Sequence, residues 1–438
     1  MAESEADMME RTVPAQERAL PGGLSSWLLL ALLMAVYIFS YLDRNIFALL
    51  MPQMSKEFGL TDSEIGQLTG LAFPVVFAIM SLISAVAADR LNRVRLIAGS
   101  VGLFSIMTML CGAAQGYWSL FWARLGVGVG EGSTNPPSIS LIADNFHGPA
   151  RQFANSVIGA ASTVGLLCAF LIFGNIAAAF GWRIAFLGAG ILGAVIALLV
   201  FLFLRDTVRS GSGQAMSFRD FKRFPMLFRI RSFRWIVCAA IAHTICTQAS
   251  FLWMPMFLTR SLHMSQVEIS WYLGLNYSFL SLLGIGGGTW IATRLRRKSV
   301  GATQWLGCGV MLTLGTAFLM VFLAPSATWT LVALSVVIML TASNYGSLLA
   351  FIQDITPHDA QARASAINFC VMQIGLGFGS LLIGMLSDRL VPHAGADSLR
   401  YAMLPVTTIA ALLAAIFYFV ASRTGDRDAM ASGTLPQR

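Results

Sequence analysis

Charge is scarce in this chain. Only 11% of its 438 residues are Asp, Glu, Lys or Arg, against about a quarter in a soluble globular protein, and the deficit argues against a water-soluble enzyme. It argues against a nucleic-acid binder too, because the net charge of +8 comes from basic residues in short loops between apolar stretches rather than from a basic face. Paired cysteines are also lacking. Cys111, Cys168, Cys238, Cys246, Cys308 and Cys370 form no CxxC pair and no metal-ligand spacing, and each lies within an apolar stretch, so neither a metal nor a disulfide framework is expected. No Walker sequence is present, which removes ATP as an energy source within the chain. Gly126-x-Gly128-x-Gly130 is not G-x-G-x-x-G and follows no strand pattern, so it does not mark a nucleotide loop. No nucleophile–base pair is visible, and no cofactor is called for. The first 26 residues are polar and acidic-rich, with Glu3, Glu5, Asp7, Glu10, Arg11, Glu17 and Arg18. They lack the basic start followed by an apolar core that a signal peptide needs and read as a solvated cytosolic tail.

Apolar residues are plentiful, at 56% of the chain with 30 Phe, 21 Met and 40 Gly, which suits helices apolar all round and packed through glycine. A membrane helix takes about 20 mostly apolar residues. On that rule the sequence predicts an all-α integral membrane protein with twelve spans, at 27–52, 64–88, 94–114, 118–143, 153–180, 183–204, 234–259, 267–293, 299–323, 327–353, 362–388 and 399–421. The longest polar stretch between spans, 205–233, carries Arg205, Arg209, Arg219, Lys222, Arg223, Arg229 and Arg231. It divides the chain into six-helix bundles at 27–204 and 234–421, flanked by tails at 1–26 and 422–438. With the N-terminus inside, 22 of 29 basic residues fall on the cytosolic side and five (Lys56, Arg183, Arg260, Arg389, Arg400) on the other, which predicts both termini in the cytosol.

The halves repeat. Thr61-Asp-Ser-Glu64-Ile65 before the second span matches Ser265-Gln-Val-Glu268-Ile269 before the eighth, 204 residues on, and both read as capping boxes. Gly70-Leu71 and Gly274-Leu275 share that offset, as do Arg90-Leu91 and Arg294-Leu295; Ile142-x-Asp144 matches Ile352-x-Asp354 at 210. Two parallel repeats joined by a basic loop describe a transporter with its site between the halves near the midplane.

The stretch Ala85-Val-Ala-Ala-Asp89-Arg90-Leu91-Asn92-Arg93 between spans two and three resembles the loop signature G-x-x-x-D-R-x-G-R-R of the major facilitator superfamily, with both glycines replaced. Gly181-Trp182-Arg183 also looks like this superfamily. Within it, Tyr41-Leu-Asp43-Arg44-Asn45 and Arg124-Leu-Gly-Val-Gly128-Val-Gly130-Glu131-Gly132 are similar to the Spinster branch, which carries sphingosine-1-phosphate and lysophospholipids in animals and has bacterial members. The resemblance implies a multi-pass protein of a bacterial inner membrane, working as a monomer.

Ionisable groups inside a bilayer are costly and usually face a cavity and pair. Four stand out: Asp43 and Arg44 in span one, Arg124 and Glu131 in span four. Arg124 and Glu131 are two helical turns apart on one face, about 10 Å along the axis, so all four fit one outer-to-central zone. A carboxylate beside an arginine and water is ionised, and one buried without that partner favours its protonated form. A cavity alternating between those states carries protons. Asp43 is the first candidate for the proton site and Glu131 the second, with Arg44 and Arg124 modulating them or binding an anionic headgroup. A static charge network closing the outer gate is the alternative. At the cytosolic edge Asp89, Arg90, Arg93, Asp144 and Arg151, with Asp354 and Arg363 as repeat counterparts, are expected to form an inner gate, or else only to set topology. The second half offers uncharged polar groups, His243, Thr247, Gln248, Asn276, Tyr277, Asn344, Tyr345, Asn368 and Gln373, which would suit a polar substrate head or else serve as interhelical glue. The expectation is a proton-linked secondary carrier of an amphipathic lipid. A carrier of small organic anions, sugar acids or drugs is the nearest rival, and a channel or a receptor belongs to another class.

Overall fold

The computed structural model describes residues 24–206, 224–357 and 360–432. The expected N-terminal tail therefore lies almost wholly outside the described residues, as do 207–223 of the linker and 433–438 of the second tail. Among the described residues there is no strand, and twelve long helices account for most of the chain. They are α1 (Leu24–Phe58), α2 (Asp62–Ala88), α3 (Arg93–Gly112), α4 (Tyr117–Gly132, continued by Asn135–Asn145), α5 (Gly148–Phe180) and α6 (Trp182–Phe203). After the linker come α7 (Arg231–Ser261), α8 (Gln266–Arg296), α9 (Thr303–Leu323), α10 (Ala327–Asp354), α11 (Gln361–Ala394) and α12 (Ser398–Ala431). Each expected span is matched by one of them.

Length and hydropathy alone pick out nine membrane-spanning runs among the described residues, and the difference from twelve has plain causes. One run, Arg363–Ala431, contains α11 and α12, joined by a single 3-10 turn at Gly395–Asp397. The helix α4 is interrupted at Ser133–Thr134, and α8 is diluted by Asn276, serines and a glycine cluster. Helix α12 also runs ten residues past the expected span end at 421.

Within the first half, α3 packs on α6 and α4, α1 on α5, and α2 on α4; within the second, α9 and α7 pack on α12 and α8 on α10. The two copies start alike. Thr61 and Ser265 both accept from the backbone N–H three residues on while Glu64 and Glu268 return the bond, as the repeat predicted. Large apolar side chains on the outer flank, such as Leu198, Phe201 and Leu202 on α6 and Ile409 and Ile416 on α12, are exposed, which is the surface a lipid-solvated helix presents.

The break in α4 follows from Pro136 and Pro137. Proline has no N–H to return to the carbonyl four residues back, and the Ser133 carbonyl left free by Pro137 accepts instead from the Ser84 hydroxyl of α2 at 2.7 Å. Gly128 and Gly132 bring α4 hard against α2. A Cβ at Gly128 would stand 2.9 Å from the Phe73 carbonyl oxygen, and one at Gly132 would stand 2.5 Å from that of Phe77. This close approach sets the depth at which α4 presents its charged residues to α1.

Candidate functional site

Helices α1 and α4 exchange two ion pairs in a crossed arrangement. Asp43 of α1 meets Arg124 of α4 at 3.2 Å, and Arg44 of α1 meets Glu131 of α4 at 2.5 Å. The seven-residue spacing of Arg124 and Glu131 places both toward α1, as the sequence indicated. Both acids are fully buried, and neither faces lipid. Each carboxylate also accepts from a hydroxyl: Thr108 of α3 donates to Asp43 at 2.5 Å, and Ser40, one turn before Arg44, donates to Glu131. Ser40 and Thr108 were not among the expected site residues. A hydroxyl in an apolar span is usually satisfied by its own helix, and only the i, i+4 spacing of Ser40 to Arg44 offered a signal.

Desolvating two acids and two guanidiniums is offset only if their bonds are nearly complete. Here that accounting is incomplete, because Glu131 Oε2 and Arg124 Nε are buried without partners. Aromatic faces supply the rest of the shell. Arg124 lies 4.2 Å over the Phe47 ring and 4.8 Å over Phe73, and Arg44 lies 4.4 Å over Phe77, distances at which a ring quadrupole attracts a cation.

The two arginines differ in access. The Arg124 side chain is 4% exposed and that of Arg44 24%. Tyr37, Tyr41 and Arg44 stand at i, i+4 and i+7 on one stripe of α1, all half-buried, and Tyr345, which opens the last part of α10 (Tyr345–Asp354), is exposed within electrostatic reach of Tyr41. A polar stripe from the first half thus confronts a tyrosine of the second across the space between them.

That space is closed at the end carrying the α1–α2 connection, expected to face outward. Among the described residues every hydrogen bond between the halves lies at this end, including Thr69 to Ser380 at 2.6 Å and Gln266 to the Leu49 carbonyl at 3.3 Å. Phe77 and Phe369, 5.7 Å apart, meet near mid-depth. Toward the other end Asn155, Ser156 and Gly159 of α5 and Gly286 and Gly287 of α8 are exposed. None of these bonds between described residues joins the halves at that end, which is the one expected to face the cytosol.

The remaining expected site residues divide. Gln248 is exposed, in a π turn of α7 (Ile245–Ala249) that occupies the repeat position of Asp43 and Arg44. His243 is buried with Nδ1 3.1 Å from the Tyr418 hydroxyl. Thr247 donates to the His243 carbonyl and Asn276 to the Tyr272 carbonyl, both at 2.8 Å. The Tyr277 ring lies 4.2 Å from that of Phe251, tilted by 45°, and Asn344 accepts from Ser347 at 2.6 Å. Asn368 donates to Met372 Sδ at 3.4 Å with its Oδ1 unpartnered, and Gln373 Nε2 is likewise buried without a partner. Thr247 and Tyr277 line one small cavity with Phe251 and Met254, whereas the bonds of Thr247, Asn276, Asn344 and Asn368 run within their own segments.

Of the expected inner-gate residues, Arg93 and Asp144 meet each other, and Asp354 is paired in the second half. Arg93, 1% exposed, binds Asp144, Ser140 at 2.9 Å and Asp206 at 2.9 Å. Asp354 pairs with Arg296 at 2.6 Å. Asp89 caps the end of α2, Arg90 and Arg151 are exposed, and Arg363 is half-buried at the start of α11. Asp206 and Arg296 were not among the expected partners; Asp206 lies in the polar linker, where an acid carries no sequence signal.

Two six-helix halves around a charged, half-accessible site define a membrane transporter. The Major Facilitator Superfamily profile matches residues 33–380, and the chain belongs to that family. An MFS-type efflux pump of Mycolicibacterium smegmatis is 28% identical over 407 residues, 93% of this chain and 95% of that one. Protein spinster homolog 1 of Homo sapiens is 27% identical over 412 residues, 87% of this chain and 77% of its own. Among solved structures, a bacterial homologue of the human lysosomal transporter Spinster, inward-facing and unoccupied, superposes with a TM-score of 0.80. It is 24% identical, with 93% of this chain and 99% of that one covered.

Proposed function

We propose that this transporter is a proton-coupled, alternating-access carrier of an amphipathic molecule with an anionic head, of the lysophospholipid or sphingoid-phosphate kind, in a bacterial inner membrane with both termini cytosolic. The observation that carries the proposal is the unequal access of the crossed pairs. Asp43 and Arg124 are sealed, whereas Glu131 holds an arginine that stands partly open to the space between the halves.

Glu131 and an anionic head compete for Arg44. A proton on Glu131 removes its claim and leaves the guanidinium for the anion, so proton and substrate favour each other's binding. Asp43 holds Arg124 in the same way one layer away and is the second titrating group. Phe73, Phe77 and Tyr41 around Arg44 provide the apolar flank that an acyl chain requires, which favours an amphipathic substrate over a sugar acid. The likeness to an efflux pump supports a drug or other small organic anion as the second reading.

In proteoliposomes, Asp43→Asn is expected to abolish proton-driven uptake while leaving exchange of the carried compound across the membrane. Undiminished coupling in that variant removes Asp43 from the mechanism. A panel of lysophospholipids, sphingoid phosphates, hexuronic acids and common drugs, scored by thermal stabilisation, separates the two substrate readings. Saturable flux with counterflow separates either from a channel.

A further inference from the structure

We infer that Asp388, at the end of α11, is the latch that holds the outer end of the transporter shut, by binding the N-terminus of α2 across the two halves. The inference rests on the alternating-access reading above.

The first turn of a helix leaves its N–H groups without partners inside the helix. In α2 the capping box deals with Thr61 and Glu64. The next two donors, the Asp62 and Ser63 amides, go to Asp388 of the opposite half, at 2.9 Å to Oδ1 and 2.7 Å to Oδ2. A carboxylate there also meets the positive end of the helix dipole. The contact is reciprocated, since the Asp62 carboxylate, 3% exposed, accepts from Arg260 of α7 at 2.8 Å and from Ser387 of α11 at 2.6 Å. Glu64 is held in the capping box, Arg400 pairs with Asp397 at 3.5 Å, and Arg389 follows Asp388 in the chain. Each half therefore gives one acid to the other.

Glycine makes the approach possible. A Cβ at Gly384, one turn before Asp388, would collide with the Asp62 carbonyl, and one at Gly70 would collide with the Gly377 carbonyl. Gly384-Met-Leu-Ser-Asp388-Arg389 has the G-x-x-x-D-R order of the loop signature at the opposite end of α2. The glycine lets two backbones cross, and the acid four residues on reaches the neighbour's N-terminal amides.

The pseudo-symmetric seam shows that the acid is not needed for capping. Helix α8 begins with the same capping box and packs against α5, whose Gly165 and Gly174 stand 210 residues before Gly375 and Gly384. Four residues after Gly174 comes Ala178, where α11 has Asp388. The α5–α8 seam keeps the glycine and lacks the carboxylate, yet α8 is a complete helix. What Asp388 adds is a bond between halves, on one seam only, which must break for the outer end to open.

Hydrogen–deuterium exchange of the full-length purified protein tests this. With Asp388→Ala, exchange at the Asp62 and Ser63 amides is expected to rise ~10-fold, as loss of bonds to a charged acceptor implies. Protection should also fall across 62–70 and 377–388 and rise at the inner segments 83–95 and 361–370. Asp388→Asn, which keeps the size and one acceptor oxygen, should shift the same segments by less, and it carries the test if the alanine variant does not fold. Gly70→Ala wedges the same seam sterically and serves as the comparison. If Gly70→Ala raises inner protection and the Asp388 variants do not, the latch is wrong and alternation stands. If neither variant changes the inner segments, the alternating-access reading fails and the latch with it. Equal loss of protection at both ends would make Asp388 merely structural and overturn the inference.

Discussion

At the scale of single residues, the four intramembrane charges were legible because their cost makes them conspicuous in apolar helices. Their pairing was legible only in part: the sequence placed Asp43, Arg44, Arg124 and Glu131 in one zone, but adjacency in the chain hid the crossing of partners. Asp43 and Arg44 are neighbours and point to different residues of α4. The crossing assigns separable effects. Glu131→Gln removes the group that competes for Arg44, so affinity for an anionic ligand should become independent of pH, whereas in the wild type it should rise as pH falls. Equilibrium binding across a pH series reads this, and an unaltered pH dependence in the variant would remove Glu131 from the coupling. Arg44→Ala should weaken anion binding on the order of 100-fold, in line with truncation of one partner of a buried charged bond. It should also lower thermal stability by leaving the Glu131 carboxylate unpaired, whereas Arg44→Lys keeps the charge but loses the guanidinium fork and should recover only part of either.

At the scale of elements, apolar stretches read together with the polar breaks between them located all twelve helices, but interruptions within the helices came from local chemistry that length does not register. Pro136 and Pro137 break α4, and π turns at Leu68–Ala72, Cys168–Phe173 and Ile245–Ala249 distort α2, α5 and α7. Pro74 follows the first of these within two residues, so that distortion was foreseeable; the second has no proline at all. The break in α4 depends on a neighbour. Ser84 of α2 satisfies the Ser133 carbonyl, and Ser84→Ala would leave that carbonyl buried and unpaired, at a cost of about 1–3 kcal/mol. A fall in melting temperature with retained helical circular dichroism is the expected outcome. An unchanged melting temperature would mean that water or a backbone shift replaces the hydroxyl.

At the scale of the whole molecule, the repeat offset of about 204 residues gave the two-bundle architecture, since matched capping boxes and glycines recur too regularly for chance. The seams between the bundles were not legible, because a residue that bonds across halves looks the same in sequence as one that bonds within its own. Thus Arg93 meets Asp144 of its own half, while Asp388 accepts from the Asp62 amide of the opposite half. In the proposed cycle, proton and substrate movement are linked through Glu131 and Arg44. Proteoliposomes loaded with a pH-sensitive dye, given whichever panel compound stabilises the protein, test it most directly. Wild-type protein should move protons only when the compound is present, and Glu131→Gln should exchange the compound with no proton movement. Equal proton flux in the variant, or compound uptake by the wild type with no proton flux at all, would contradict it.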